Sequence, residues 1–273
     1  LRYDYSILSP VWGGWCGSAP SVSDADNDGD WDLHLRAFDG GEFISRNVGS
    51  SSRPLFLPPV RYSEYDDRTQ PLSSPYMIDW DKDGDLDRLT FTIYDDGYTQ
   101  GAVKVNKKAC FDIEFNSNGS YGGKKRLLDA DLLAQTQIQP LELERAVWTN
   151  AAIMDVNNDG KDDILACGAS NYIVAFINKG ISGNQPCAVR TLLPISGNDG
   201  SGFTNNHQIE EMSVKFCVFD WDKDGFKDVI VSGWNHSAYY LQNAGIANQI
   251  KFKTPIRFEQ KGGVINNGDC AAP

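Results

Sequence analysis

The stretch Asp79-Trp80-Asp81-Lys82-Asp83-Gly84-Asp85-Leu86-Asp87 decides how this chain is read, because the same pattern returns elsewhere. The other copies are Asp24-Ala25-Asp26-Asn27-Asp28-Gly29-Asp30-Trp31-Asp32, Asp155-Val156-Asn157-Asn158-Asp159-Gly160-Lys161-Asp162-Asp163 and Asp220-Trp221-Asp222-Lys223-Asp224-Gly225-Phe226-Lys227-Asp228. Each puts an oxygen-bearing side chain at loop positions 1, 3, 5 and 9, and glycine at position 6. Carboxylates on alternate residues of a curling loop converge on one point. The glycine permits the turn that brings in the position 7 carbonyl, here from Asp30, Asp85, Lys161 or Phe226. About six or seven oxygens, most of them anionic, suit calcium; magnesium gives up its waters too reluctantly for such a cage. About four calcium ions are therefore expected. Asn157 replaces one anionic oxygen by a neutral one, which makes the third loop the weakest expected site.

The opening of this loop is shared with the EF-hand, which closes with a bidentate Glu at position 12 and is flanked by helices. Position 12 is Leu35, Thr90, Ala166 and Val231 in the four copies, and none of these is a ligand. Each loop runs instead into a β-rich segment: Leu33–Ala37, Leu89–Ile93, Ile164–Cys167 and Val229–Ser232. The loop joins two strands, with the position 9 aspartate leading into the second.

Around the loops a longer unit repeats. A short apolar strand precedes each one (Ala19–Ser23, Pro75–Ile78, Ala151–Met154, Val214–Phe219), and a third strand ends in an Asn-x-Gly turn. These turns are Asn47-Val48-Gly49, Asn178-Lys179-Gly180 and Asn243-Ala244-Gly245, while the second repeat is aligned on Val105-Asn106-Lys107-Lys108, without the glycine. A fourth strand is expected at Leu55–Leu57, Cys110–Ile113, Val189–Leu193 and Ile250–Phe252. One four-stranded antiparallel unit cannot bury both faces alone, so a repeating series of them predicts an all-β propeller. The expectation is a single domain over 1–273, with four calcium-loop blades near 16–60, 72–115, 148–194 and 212–258. Insertions make the period uneven; Leu127–Gln137 has the composition of a short helix, and Pro194–Gln208 reads as a loop.

The pattern Asp-x-Asp-x-Asp-Gly-x-x-Asp, then an apolar strand, then Asn-x-Gly, resembles the FG-GAP/VCBS repeat over about residues 16 to 260. The resemblance implies an integrin-α-type propeller with structural calcium. It leaves function open, since such repeats occur in adhesion proteins, lectins and polysaccharide lyases.

The chain of 273 residues carries a formal charge of −12, and eighteen of its 37 acidic residues sit in the loops. Four divalent ions would offset two thirds of that charge. No basic face calls for nucleic acid, and no apolar run reaches the roughly 18 residues of a membrane span. The sequence begins at Leu1 and reads as a processed or excised part of a longer precursor. Six cysteines, the sequons Asn118-Gly119-Ser120 and Asn235-His236-Ser237, and calcium loops favour an extracellular, oxidising location. Cys167 and Cys187 fall in one repeat and could bridge its strands; Cys217 fits a buried thiol equally well. In a closed four-bladed ring Cys16 would meet Cys270.

Two function classes follow. The leading expectation is an extracellular, non-catalytic recognition or adhesion module for carbohydrate or a protein partner. Its ligand-facing candidates are Trp12 with Trp15, and Trp234 with Asn235, because sugar rings stack on aromatic faces. Trp80 and Trp221, at the same loop position, are expected to pack between blades. The alternative, implied by the resemblance, is a polysaccharide lyase or hydrolase. Its base would come from His207 or His236 with Tyr239 or Tyr240, and its cation from Arg190 or Lys215. His34, in a strand directly after a loop, is assigned to packing.

Overall fold

A tight loop that reverses the chain makes its flanking strands pair antiparallel, and this happens at all four aspartate-rich loops. The computed structural model describes residues 21–26, 28–36, 42–50, 52–63, 70–71, 76–95, 99–100, 103–104, 107–144, 151–167, 173–193, 214–232, 238–260 and 263–264. The first sheet runs Ser21–Ser23, Asp32–Arg36, Glu42–Ser45, Val60–Ser63 in spatial order. The fourth repeats it with Lys215–Phe219, Asp228–Ser232, Ala238–Leu241 and Ile256–Arg257. The third runs Ala151–Met154, Asp163–Cys167, Ile173–Ser182, Gln185–Leu192, with Leu128–Asp129 added parallel to its last strand. In every sheet the position 9 aspartate pairs with the last residue of the first strand: Ser23↔Asp32, Ile78↔Asp87, Met154↔Asp163 and Phe219↔Asp228. Valine, isoleucine and aromatic residues fill these strands, as a half-buried pleated surface favours. The described residues are therefore all-β apart from one short helix.

The second sheet corrects the sequence reading. Its third strand is Lys107–Glu114, and the matching turn is Asn116-Ser117-Asn118-Gly119, not Val105-Asn106-Lys107-Lys108. Asp87 and Asn116 stand 29 residues apart, against 15 in the other three sheets. The extra length is spent in the longer strand Asp87–Asp95 and the hairpin Thr99–Gln100 with Val103–Lys104. Cys110–Ile113 therefore belongs to the third strand; beyond it, Lys125–Arg126 and Glu142–Glu144 both pair with Lys107–Glu114. Two other fourth strands also shift outward. Phe56 and Phe252 make single bridges to Asn47 and Asn243, and the paired strands begin at Val60 and Ile256. The short helix is Ala130–Leu133, capped by the Asp129 carboxylate, which accepts from Asp131 N and Leu132 N.

Two compact units divide the chain: Leu1–Tyr94 with Phe111–Arg126, and Asp95–Cys110 with Leu127–Pro273. In the first, Ser21–Ser23 lies beside Tyr76–Ile78. In the second, Ala151–Met154 lies beside Lys215–Phe219, so the first strands of consecutive sheets are neighbours. There one core joins Ala152, Met154, Val156 and Leu165 of the third sheet to Val229, Val231, Tyr239 and Leu241 of the fourth. No helix of the described residues is long and apolar enough to cross a membrane.

The Cys167–Cys187 bridge that the sequence left open is not formed: Cys110, Cys167, Cys187 and Cys217 carry thiols. Cys167 pairs with Ile173 at one end of the third sheet, while Cys187 follows the Asn178–Ile181 bulge at the other. Several residues of strand, at about 3.3 Å each, and an intervening strand part them, well beyond the roughly 7 Å limit for a disulfide. Cys187 Sγ faces Gly180 O at 3.5 Å, and burial pushes the Cys167 thiol up to about 12. Cys16 and Cys270 lie outside the described residues.

Candidate metal centres

The loops share one backbone shape. Gly29, Gly84, Gly160 and Gly225 have φ of 92°, 97°, 89° and 92°, a left-handed region open mainly to glycine. Lys82, Asn158 and Lys223, all at position 4, have φ of 62°, 57° and 60°. This double left-handed turn folds the loop back on its own first residue. Asp24 Oδ1 and Oδ2 accept from Asp28 N (3.0 Å) and Gly29 N (2.8 Å). Asp155 does the same for Asp159 N and Gly160 N, and Asp220 for Asp224 N and Gly225 N. The position 5 carboxylate in turn accepts from position 7: Asp30 N to Asp28, Asp85 N to Asp83, Lys161 N to Asp159 and Phe226 N to Asp224, each 2.9 Å.

Position 9 has a second task that the sequence did not reveal. Asp32, Asp87, Asp163 and Asp228 are fully buried. Each takes one backbone N–H from loop position 2 and one from the asparagine that ends the third strand. The donors are Ala25 and Asn47, Trp80 and Asn116, Val156 and Asn178, Trp221 and Asn243, all at 2.8–3.0 Å. The asparagine side chain completes the latch. Its Oδ1 accepts from the turn glycine (Gly49, Gly119, Gly180 or Gly245). In three sheets its Nδ2 donates to the position 8 carbonyl of Leu86, Asp162 or Lys227 at 3.2 Å. The repeated Asn-x-Gly was visible in the sequence as a turn; its tie to the loop was not, because the partners lie 15 or more residues apart.

In the first, second and fourth loops carboxylate oxygens converge. Asp24, Asp26 and Asp32, then Asp79, Asp81 and Asp83, then Asp220, Asp222 and Asp228 each offer ligand atoms within 4.8 Å of one another. That fits inside the roughly 5 Å spanned by a calcium coordination sphere. Asp28 and Asp224 stand beside their clusters at position 5. Position 7 is expected to serve through its backbone carbonyl, which does not require the side chains there (Asp30, Asp85, Lys161, Phe226). The third loop contributes Asp155, Asp159 and Asp163 with Asn157, whose Nδ2 donates to Asp159 Oδ2 at 3.1 Å. The donor set is all oxygen, hard and anionic, which matches calcium rather than a soft metal.

Electrostatics say what these loops need. Burial is the main cause raising the Asp87 carboxyl to about 6 and Asp163 to about 7, against the backbone N–H bonds that oppose it. Asp81 is also raised, by burial and then by the charge of Asp83. Carboxylates crowded this way are stabilised in their charged form by a divalent cation beside them. Two position 3 oxygens are steadied from outside: Arg46 Nη1 pairs with Asp26 Oδ2 at 2.8 Å, and Gln242 Nε2 donates to Asp222 Oδ2. Arg46 and Gln242 each directly precede the latch asparagine.

The other candidates divide. Trp12, Trp15, His207, Trp234, Asn235 and His236 lie outside the described residues. Tyr239, a candidate partner for the base, is buried in the core between the third and fourth sheets. Tyr240 is buried too; its hydroxyl donates to Asp228 Oδ2 at 2.9 Å, and burial followed by that bond raises its pKa strongly. His34 is a packing residue, held near a pKa of about 4 by burial and by the Arg88 charge. Of the two loop tryptophans expected to pack between blades, Trp80 is 1% exposed, whereas Trp221 is 49% exposed and rests against the rings of Phe219, Tyr240 and Phe258. No protein-family model matches the chain, and no curated protein matches it.

Proposed function

We propose that this chain is a calcium-stabilised β-propeller module that serves extracellular recognition of carbohydrate or protein rather than catalysis. The observation that carries the reading is the convergence of carboxylates in three loops, each fixed by the same backbone latch. A loop whose aspartates are already engaged by backbone N–H groups acts as a rigid tie, not as a mobile acid or base. Calcium at each tie would neutralise the clustered charge and lock the first and second strands of a blade to its third. The side-by-side first strands in each unit are the arrangement expected of successive blades. The stiffened sheets would then present the insertions and turns to a partner. The overall charge of −12 argues against a nucleic-acid ligand.

Calorimetric titration with calcium, followed by thermal unfolding in calcium and in excess EDTA, tests the metal. Binding of about four ions is expected, and saturation at a hundred times the dissociation constant adds about 2.7 kcal/mol per site. Identical melting curves in calcium and EDTA would overturn the reading. A glycan array run beside a uronate-polymer cleavage assay tests recognition against catalysis. Unsaturated product that disappears on His207→Ala or His236→Ala would replace recognition with lyase activity.

A further inference from the structure

The turn that latches each loop comes in two lengths. In the first, third and fourth sheets one residue separates the latch asparagine from the glycine: Val48, Lys179 or Ala244. In the second sheet two residues do, Ser117 and Asn118. The added length closes a small hairpin of its own, in which Asn116 pairs with Tyr121 and Ser117 with Ser120. Asn118 and Gly119 are its two turn residues, with φ of 52° and 83°. Two successive left-handed residues make the type I′ turn that Asn-Gly favours. The latch survives the insertion, since Gly119 N still donates to Asn116 Oδ1 at 2.9 Å. Asn118 is thus a residue that the latch does not need.

Asn118-Gly119-Ser120 is also a sequon, and the function proposed above makes no use of it. All three residues are exposed. The Asn118 side chain has no hydrogen-bond partner among the described residues, whereas its backbone N–H donates to Asp85 Oδ2 at 2.7 Å. At the base of the hairpin Gly122 N donates to Phe115 O at 2.8 Å, and the Arg88 guanidinium lies over the Tyr121 ring, 4.0 Å from its centroid. These contacts all fall within the first compact unit. The backbone is pinned around the sequon while the carboxamide is left open.

We propose that Asn118 carries an N-linked glycan. The inference rests on the extracellular reading above, because the transfer belongs to the secretory route. The donor class is a lipid-linked diphosphate oligosaccharide, and Asn118 Nδ2 attacks its anomeric carbon. A nitrogen–carbon bond forms and the bond from that carbon to a phosphate oxygen breaks. The lipid diphosphate leaves with the electron pair, and one amide proton goes to a base of the transferring enzyme. The Ser120 hydroxyl, two residues on, is the recognition element of the acceptor. The competing fate of an Asn-Gly pair is deamidation, in which Gly119 N attacks the Asn118 carboxamide carbon. The bond from Gly119 N to Asn116 Oδ1 opposes that attack.

The full chain, secreted from insect cells with Asn235→Gln to remove the other sequon, tests this. Enzymatic deglycosylation in heavy-oxygen water, followed by peptide mapping, should place the heavy label on Asn118 in most molecules. Asn118→Gln and Ser120→Ala should each abolish the label, and Ser120→Thr should keep it. Ser120→Ala leaves the Asn-Gly turn intact, which separates loss of the acceptor signal from loss of the fold. A secreted chain with a bare Asn118 overturns the proposal while the extracellular reading stands. A chain retained in the cell and bare at Asn118 overturns both. Deamidation of Asn118 without uptake of heavy oxygen also overturns the proposal, since it shows a carboxamide that was never glycosylated.

Discussion

Asn243→Ala isolates the latch from the metal. Asn243 is buried and is not a ligand, and its side chain makes three kinds of contact. Oδ1 accepts from Gly245 N at 3.0 Å, Nδ2 donates to Lys227 O at 3.2 Å, and the amide meets the Asn158 side chain at 3.3 Å. Its backbone N–H still reaches Asp228 Oδ1 after truncation. Alanine leaves the Gly245 N–H and the Lys227 carbonyl without these partners, at about 1–3 kcal/mol each. The expected loss is therefore about 4 kcal/mol. At about 2–4 °C per kcal/mol for a body of this size, the melting temperature should fall by roughly 8–16 °C. Asn243→Asp should lose as much, since it keeps the acceptor but turns a carboxylate toward the Lys227 carbonyl. Gln249→Ala, at an exposed position with an ordinary backbone conformation, should change stability by under about 0.5 kcal/mol. The assay is thermal unfolding by calorimetry in calcium and in excess EDTA. The loss should be similar in both, because the latch is built from protein groups alone. A loss under about 1 kcal/mol, or one that vanishes on chelation, would refute the reasoning.

Asn157→Asp adds an anionic ligand to the third loop while removing the Asn157 bond to Asp159. Calcium titration should show roughly tenfold tighter binding at one site, about 1.4 kcal/mol, together with a lower melting temperature in EDTA; unchanged affinity would exclude Asn157 as a ligand. Trp80→Ala should cost about 3–5 kcal/mol, as for other buried aromatics, whereas Trp221→Ala, half exposed but against three rings, should cost less, about 1–3 kcal/mol; denaturant midpoints compare them directly. Cys167, buried and with its thiol pushed up to about 12, should resist aqueous thiol reagents at neutral pH until denaturant is added. Labelling of Cys167 in the native protein at the rate of a free thiol would contradict its placement.

Much of the local structure was legible in the sequence because its causes are local. The alternation of carboxylates with a glycine at position 6 specifies a loop through contacts within nine residues, and the structure keeps that loop in all four copies. The strand that follows each position 9 aspartate was likewise carried by the apolar residues next to it. Reading failed where partners are distant. The alignment of Asn106 in place of Asn116 followed sequence spacing, and only the hydrogen bond from Asn116 N to Asp87 shows that a longer hairpin intervenes. The Cys167–Cys187 bridge failed because belonging to one sheet does not place two residues at the same end of it. Trp80 and Trp221 occupy identical loop positions, and no local signal separates them. One is buried and the other half exposed because burial depends on which sheet lies against that face, a matter settled by tertiary packing alone.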